Sequence, residues 1–96
     1  MAFEFEYDAR KAQENLAKHG ISFEEAITVF RDPLARIFDD EEHSADEQRE
    51  IIIGHSVRRR LLLVCFVDRQ TKVRLISARQ VTPIEREDYE EKARQQ

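Results

Sequence analysis

Leu61-Leu-Leu-Val-Cys-Phe-Val67 is the longest apolar run of the chain, and it decides the fold. Its length suits a buried strand and is far too short to span a bilayer. Both alternating sets of side chains are apolar, so the strand, about 60–68, is expected to be central and covered on both faces. Stretches 50–56 and 72–80 flank it at hairpin distance. The three strands are therefore predicted to form an antiparallel meander.

A short strand and a helix are predicted at the N-terminus. Aromatic residues alternate with other residues at Phe3, Phe5 and Tyr7, which is the period of a half-buried strand. Asp8 then has the position of an N-cap, and Gly20 that of a residue that ends a helix. We therefore expect a helix over about Ala9–His19, with Ala9, Ala12, Leu16 and His19 on its inner stripe.

A second helix follows at once. Ser22 and Glu25 form a capping box, and Asp32-Pro33 ends the helix. Its apolar stripe has helical spacing and consists of Phe23, Ala26, Ile27 and Phe30. Leu34–Phe38 is a candidate short strand, and an acidic loop over Asp39–Glu50 separates it from the meander.

Thr82-Pro83-Ile84-Glu85 begins a last helix with a capping box and a proline at the first helical position. This helix, about Pro83–Arg94, is mostly charged, so we expect it to dock weakly. The predicted order is β-α-α-β-β-β-β-α, in one domain over residues 1–96. The fold class is α+β, with two N-terminal helices on one face of an antiparallel sheet and a C-terminal helix.

Charge is distributed unevenly along the 96 residues. The net charge is −4, yet residues 57–80 carry seven basic residues and one acidic residue, which gives +6. A local basic stripe can bind phosphate on an acidic protein. The chain begins without a signal-like segment and has one cysteine, which indicates a cytoplasmic protein. It has no Gly-rich phosphate loop, zinc pattern or Ser/His/Asp signature, so we expect neither a metal nor a cofactor.

An ordered series of short motifs resembles the BrnT toxin family over nearly the whole chain. The motifs are Phe5-Glu6-Tyr7-Asp8, Lys11, Asn15-Leu16, Lys18-His19-Gly20-Ile21-Ser22-Phe23-Glu24-Glu25-Ala26, Val29-Phe30, Asp32-Pro33-Leu34, Glu47 with Arg49, Ile53-Gly54, Arg60-Leu61-Leu62, Ile76-Ser77-Ala78-Arg79, Glu85-Arg86 and Tyr89-Glu90.

The resemblance implies a RelE-like ribonuclease fold in a type II toxin–antitoxin pair. A BrnA-like antitoxin would be the partner, in a heterotetramer, and operator DNA would be bound only through that antitoxin. No membrane is implied. Such toxins are commonly basic, and this chain is acidic. The alternative is therefore a degenerate toxin, a non-catalytic module that binds the antitoxin and acts as a co-repressor.

Cleavage of RNA without a metal requires a base, an acid and cations around the phosphate. Arg79 is the first candidate, because it ends the last strand; the alternative is a structural pair with Glu85. Arg60 is the best placed of three hairpin arginines. Arg74 ranks lower, because its strand parity is opposite to that of Arg79 unless a bulge intervenes. His19 at a helix C-terminus is the candidate acid, and capping is its alternative role.

The predicted RNA-binding residues are further cations and one tyrosine. They are Arg58, Arg59, Lys18, Lys72 and Tyr89. Arginine suits this role because its planar fork binds two phosphate oxygens. The alternatives are a solvated turn for Arg58 and Arg59, and an anchor of the last helix for Tyr89.

Overall fold

The computed structural model describes residues 4–43 and 47–94, and of His43 only the backbone. Its strands are β1 (Phe5–Glu6), β2 (Arg36–Asp39), β3 (Glu50–His55), β4 (Leu61–Asp68) and β5 (Val73–Gln80). Its α-helices are α1 (Ala9–His19), α2 (Phe23–Thr28) and α3 (Pro83–Arg94), and 3-10 turns span Val29–Arg31 and Glu41–His43. No helix in these ranges is long and apolar enough to cross a membrane.

The apolar run becomes the central strand, as predicted. The strands lie in the order β1-β5-β4-β3-β2, and the pairs from β2 to β5 are antiparallel. The first strand is shorter than expected and pairs parallel to β5, Phe5 with Val73, so the sheet is mixed. Ala2 and Phe3, part of that predicted strand, lie outside the described residues.

Two apolar cores cover the two faces of β4. The first core joins α1 and α2 to the sheet, with Phe23, Leu62, Val64 and Phe66 at its centre. The second core joins α3 to the other face, where Tyr89 packs on side chains that include Leu63. The expectation of a strand covered on both sides is thus confirmed, and the C-terminal helix lies opposite the two N-terminal ones.

A bulge in β5 changes which of its side chains share a face. Cys65 of β4 pairs with Ser77, but the next residue, Phe66, pairs with Leu75, so β5 holds one extra residue. Because Leu75 and Ala78 both enter the first core, side-chain parity reverses between them. The bulge therefore puts Arg74 and Arg79 on the same face, the one that α3 covers.

The inner stripe of α1 is polar at its centre, and the prediction of an inner Leu16 was wrong. Leu16 is 52% exposed, whereas Asn15 is 7% exposed. The Asn15 amide donates to the carbonyls of Ile21 (2.9 Å) and Ala78 (2.8 Å), and its oxygen accepts from the Ala78 N–H (3.0 Å). Asn15 thus binds the backbone of β5 beyond the two residues that pair with β1.

Candidate functional site

A cleft runs between α1 and β5, on both sides of Asn15. We call it the α1 cleft; it has a volume of about 220 Å³ and is lined by Lys11, Glu14, Asn15, Lys18, His19, Ile76 and Ser77. Lys11, Asn15 and His19 follow one another at intervals of four residues, which puts them on one face of the helix. The hydrogen bonds of Asn15 to β5 therefore hold Lys11 and His19 against the same strand.

The α1 cleft contains basic side chains that form no ion pair with a carboxylate. Within residues 4–43 and 47–94, no ion pair involves Lys11, Lys18 or His19. Glu14, which also lines the cleft, pairs with Arg10 at 3.3 Å. Lys18 and His19, two of the predicted site residues, are thus brought together with Lys11 in a setting that suits an anion.

Arg60 lies near this cleft but is already neutralised. Its guanidinium binds both oxygens of Glu25, whose side chain is 4% exposed. The Ser56 hydroxyl also donates to Glu25, at 2.7 Å. Hydrogen bonds from Arg60, and next from Ser56, hold the pKa of Glu25 below its usual value against the effect of burial. Arg60 further donates to the Gly20 carbonyl at 3.4 Å, so it ties the end of α1 to the β3–β4 hairpin.

The hairpin tip, residues 56–60, presents two further arginines to solvent. The Ser56 hydroxyl accepts from the N–H of Arg58 (3.2 Å) and of Arg60 (3.3 Å), and the Arg59 N–H donates to the Ser56 carbonyl. Arg58 and Arg59 are exposed and form no ion pair within the described ranges. Arg59 has a φ of 63°, a conformation that glycine adopts more readily.

Arg79 and Arg74 lie on the α3 side of the sheet, each beside a carboxylate. Arg79 binds Glu85 through two hydrogen bonds, of 2.8 and 2.9 Å. Arg79, with the Thr82 cap, lowers the pKa of Glu85 from 4.5 to about 2. Arg74 lies 3.9 Å from Glu6. The structure therefore does not gather the four predicted catalytic residues into one cleft; the structural pairing of Arg79 with Glu85, the alternative, is what it shows.

The remaining predicted residues divide by position. Tyr89 is buried, and its hydroxyl donates to the Leu34 carbonyl at 3.1 Å, so it anchors α3 as the alternative expected. Lys72 is exposed at the β4–β5 turn, at the opposite end of the sheet from the hairpin tip. Sequence reasoning overlooked Glu14 and assigned no role to Lys11. The signal that could have found them is helical spacing, since Lys11 lies four residues before Asn15 and Glu14 lies four residues before Lys18.

Over residues 4–43 and 47–94, no three His, Cys, Asp or Glu side chains are grouped so that they could hold a metal ion. No curated protein sequence matches the chain. The crystal structure of the Brucella abortus ribonuclease toxin BrnT, at 1.1 Å resolution, is similar to it with a TM-score of 0.65 and 26% sequence identity. That likeness covers 82% of this chain and 96% of the Brucella chain.

The family model described as ribonuclease toxin, BrnT, of type II toxin–antitoxin systems matches residues 7–85. This range runs from the residue before the N-cap of α1 to the Glu85 that pairs with Arg79. It therefore contains α1, α2 and the four strands β2 to β5, and with them the α1 cleft and the hairpin tip. The chain belongs to the BrnT family of ribonuclease toxins of type II toxin–antitoxin systems.

Proposed function

We propose that this chain is a toxin that cleaves RNA without a metal, in the α1 cleft. The observation that carries the proposal is the convergence of Lys11, Lys18 and His19 on one strand, with no carboxylate paired to any of them within the described ranges. A polyanion is the ligand that two lysines without an ion pair favour, and the imidazole of His19 lies beside them. The family supplies the class of reaction.

Our proposed reaction is attack by the 2′-hydroxyl on the adjacent phosphorus. The bond from the 2′-oxygen to phosphorus forms, the bond from phosphorus to the 5′-oxygen breaks, and a cyclic phosphate and a 5′-hydroxyl result. Glu14 is our candidate for the base that takes the 2′ proton, since it is the carboxylate that lines the cleft. His19 is our candidate for the acid that protonates the leaving oxygen, and Lys11 and Lys18 would stabilise the phosphate.

The three paired arginines have different proposed roles. Arg60 would act as a positioning residue, because it links the carbonyl next to His19 to the hairpin through Glu25. Arg79 and Arg74 would bind RNA only if a phosphate replaced Glu85 or Glu6 as their partner. All three arginines are paired with carboxylates, and this pairing favours the alternative function, a non-catalytic module that binds the antitoxin and represses the operon with it.

Membership of a type II toxin family implies an antitoxin partner. We propose that this partner is BrnA-like, that the two proteins form a heterotetramer in the cytoplasm, and that operator DNA is bound through the antitoxin.

The test is cleavage of single-stranded RNA in the presence of a metal chelator, with His19→Ala and Lys18→Ala. We expect the wild type to cleave, His19→Ala to lose about 100-fold or more in rate, and Lys18→Ala to lose about 10-fold. Lys92→Ala is the matched control; it removes the same charge from α3, where Lys92 lies over the Phe38 ring. Its rate should stay within about twofold.

The results distinguish a ribonuclease from a non-catalytic module. Full activity in a folded His19→Ala protein would exclude the α1 cleft as the site of proton transfer. A wild type that binds its antitoxin but neither cleaves RNA nor arrests growth when it is expressed would establish the non-catalytic module instead.

A further inference from the structure

A second concave surface lies on the other side of the Glu25–Arg60 pair. We call it the hairpin depression; it has a volume of about 280 Å³ and is lined by Thr28, Arg31, Asp32, His55, Ser56 and Val57. We propose that it is a second RNA subsite, which holds a nucleotide next to the one cleaved in the α1 cleft. This inference rests on the proposed function and adds Arg31 and His55 to the residues that would contact RNA.

The geometry of Asp32 leaves this depression open to an anion despite the carboxylate in its wall. One Asp32 oxygen accepts from the Leu34 N–H at 2.9 Å, and the other accepts from the His55 N–H at 2.7 Å. Gly54 permits the approach, because a Cβ there would lie 3.0 Å from that second oxygen. Asp32 is mostly buried and its charge is directed at backbone N–H groups, so it is less available to repel a ligand.

The same carboxylate orients the imidazole of His55. Its Nδ1 lies 3.6 Å from Asp32, and its ring contacts the Tyr89 ring edge-to-face with centroids 6.0 Å apart. An imidazole whose Nδ1 faces a carboxylate presents its Nε2 on the opposite side. Nearly half of the side chain is exposed, and in this proposal Nε2 is the atom that meets a phosphate oxygen.

The charge around the hairpin depression is positive, although the chain is acidic. Arg31 is exposed and has no ion pair within residues 4–43 and 47–94. Arg58 and Arg59 belong to the adjoining hairpin tip, are exposed and form no ion pair within the described ranges, so the basic residues in and beside the depression outnumber Asp32. Val57 is 74% exposed at the rim and offers an apolar surface on which a base can pack.

A chain of hydrogen bonds through the hairpin tip links the two concave surfaces. Ser56 lines the hairpin depression and donates to Glu25; Glu25 binds Arg60, and Arg60 donates to the Gly20 carbonyl beside His19. A strand of RNA that leaves the α1 cleft would therefore cross the hairpin tip and enter the hairpin depression. Arg59, at that crossing, has a left-handed backbone conformation. Gln70, in the β4–β5 turn, has the same conformation, so it is the position of Arg59 and not its φ that suggests a contact with RNA.

The test separates binding from cleavage. Its probe is a fluorescein-labelled 8-nucleotide RNA of mixed sequence with 2′-O-methyl groups throughout, which cannot be cleaved, and its readout is fluorescence anisotropy at several salt concentrations. We expect Arg31→Ala to weaken binding about fivefold and to lower the slope of log K against log salt by about 0.7, the loss of one phosphate contact on a single strand. Arg86→Ala on α3, an exposed arginine paired with Glu90, is the matched control and should change neither quantity.

A length series provides the second readout, with cleavable RNA as substrate. Arg31→Ala should raise the KM for an 8-nucleotide RNA and leave the KM for a dinucleotide unchanged, because a dinucleotide fills only the α1 cleft. Wild-type affinity and slope in a folded Arg31→Ala protein, with cleavage still lost in His19→Ala, would overturn the second subsite and leave the proposed function standing. A wild type that neither binds nor cleaves RNA would overturn both.

Discussion

Asn15 is the residue on which the α1 cleft depends, and Asn15→Ala measures how much. The substitution leaves three backbone groups without their partner, the carbonyls of Ile21 and Ala78 and the N–H of Ala78. Each buried group that loses its hydrogen bond costs about 1 kcal/mol. The higher helix propensity of alanine returns about 0.5 kcal/mol. We therefore expect the free energy of unfolding to fall by about 2.5 kcal/mol, a large part of the stability of a domain this size.

The assay is urea unfolding followed by circular dichroism, with Gln13→Ala as the control on the exposed side of the same helix. Asn15→Asp sharpens the test. Its carboxylate still accepts from the Ala78 N–H but cannot donate to the two carbonyls, so it should destabilise at least as much as alanine. The reasoning is refuted if Asn15→Ala unfolds within about 1 kcal/mol of Gln13→Ala. RNA cleavage by folded Asn15→Ala should also fall, because α1 is no longer held to β5.

Two further substitutions test the pairing of Arg79 and the strain at Arg59. The pKa of Glu85 is lowered from 4.5 to about 2, a shift that corresponds to about 3.4 kcal/mol of stability if it is taken in full. Because the Arg79 side chain is 37% exposed, solvent screens the pair. We therefore expect Glu85→Gln to lower the free energy of unfolding by about 1 to 2 kcal/mol at pH 7. A carboxyl group whose pKa is lowered by folding stabilises the folded protein above its unfolded pKa of 4.5, and this stabilisation is lost as the pH falls towards 2. The difference in free energy of unfolding between wild type and Glu85→Gln, measured in urea, should therefore shrink between pH 4.5 and pH 2, and a difference independent of pH would contradict the role given to this ion pair. Arg59→Gly should raise stability by about 0.5 to 1 kcal/mol, because glycine adopts a φ of 63° without strain, and should weaken binding of the 2′-O-methyl RNA. A melting temperature that falls would show that no strain was relieved.

The helix boundaries could be predicted because their signals are local. The Asp8 carboxylate accepts from the N–H of Arg10 and Lys11, and Gly20 ends α1 with a φ of 71°. The capping box predicted at Thr82 forms in full, since the Glu85 N–H donates to the Thr82 hydroxyl and the Thr82 N–H donates to the Glu85 carboxylate. At Ser22 only half of the predicted box forms: the Ser22 hydroxyl accepts from the Glu25 N–H, but the Glu25 carboxylate binds Ser56 and Arg60 instead. In each case the residues that determine the boundary lie within one helical turn of it.

Two predictions were wrong or incomplete, the pairing of β1 and the inner stripe of α1, and both concern contacts between segments that are distant in sequence. The parallel pairing of β1 with β5 joins residues 68 positions apart, Phe5 and Val73, and nothing local specifies it. The inner stripe of α1 was placed by counting apolar residues, but part of this helix faces the edge of a strand. The groups to be satisfied there are backbone N–H and C=O, so the buried residue is Asn15 rather than Leu16.

The candidate site was predictable in its residue types but not in their state of pairing. Arg60 looked available because its partner Glu25 lies 35 residues away. The pairing of Arg79 with Glu85, only six residues apart, could be weighed in advance. Which basic side chains form no ion pair depends on the folded arrangement of carboxylates. The lack of an ion pair at Lys11, which has Asp8 and Glu14 within one helical turn, could therefore not be predicted from the sequence.

The fold also separates an acidic end of the sheet from the hairpin tip, across which we propose that RNA binds. Asp39 of β2 lies opposite Glu50 of β3 in the sheet, which makes this end acidic, and the hairpin tip follows the other end of β3. Six residues of strand separate the acidic end from the hairpin tip by about 20 Å, roughly twice the distance over which physiological salt screens exposed charges. Near the acidic end Arg69 is bound by Glu47 and Glu6, whereas Arg58 and Arg59 of the hairpin tip are exposed and form no ion pair within the described ranges. At physiological ionic strength the charges of the acidic end are therefore largely screened at the hairpin tip, and they would oppose the approach of RNA to the tip mainly at low ionic strength.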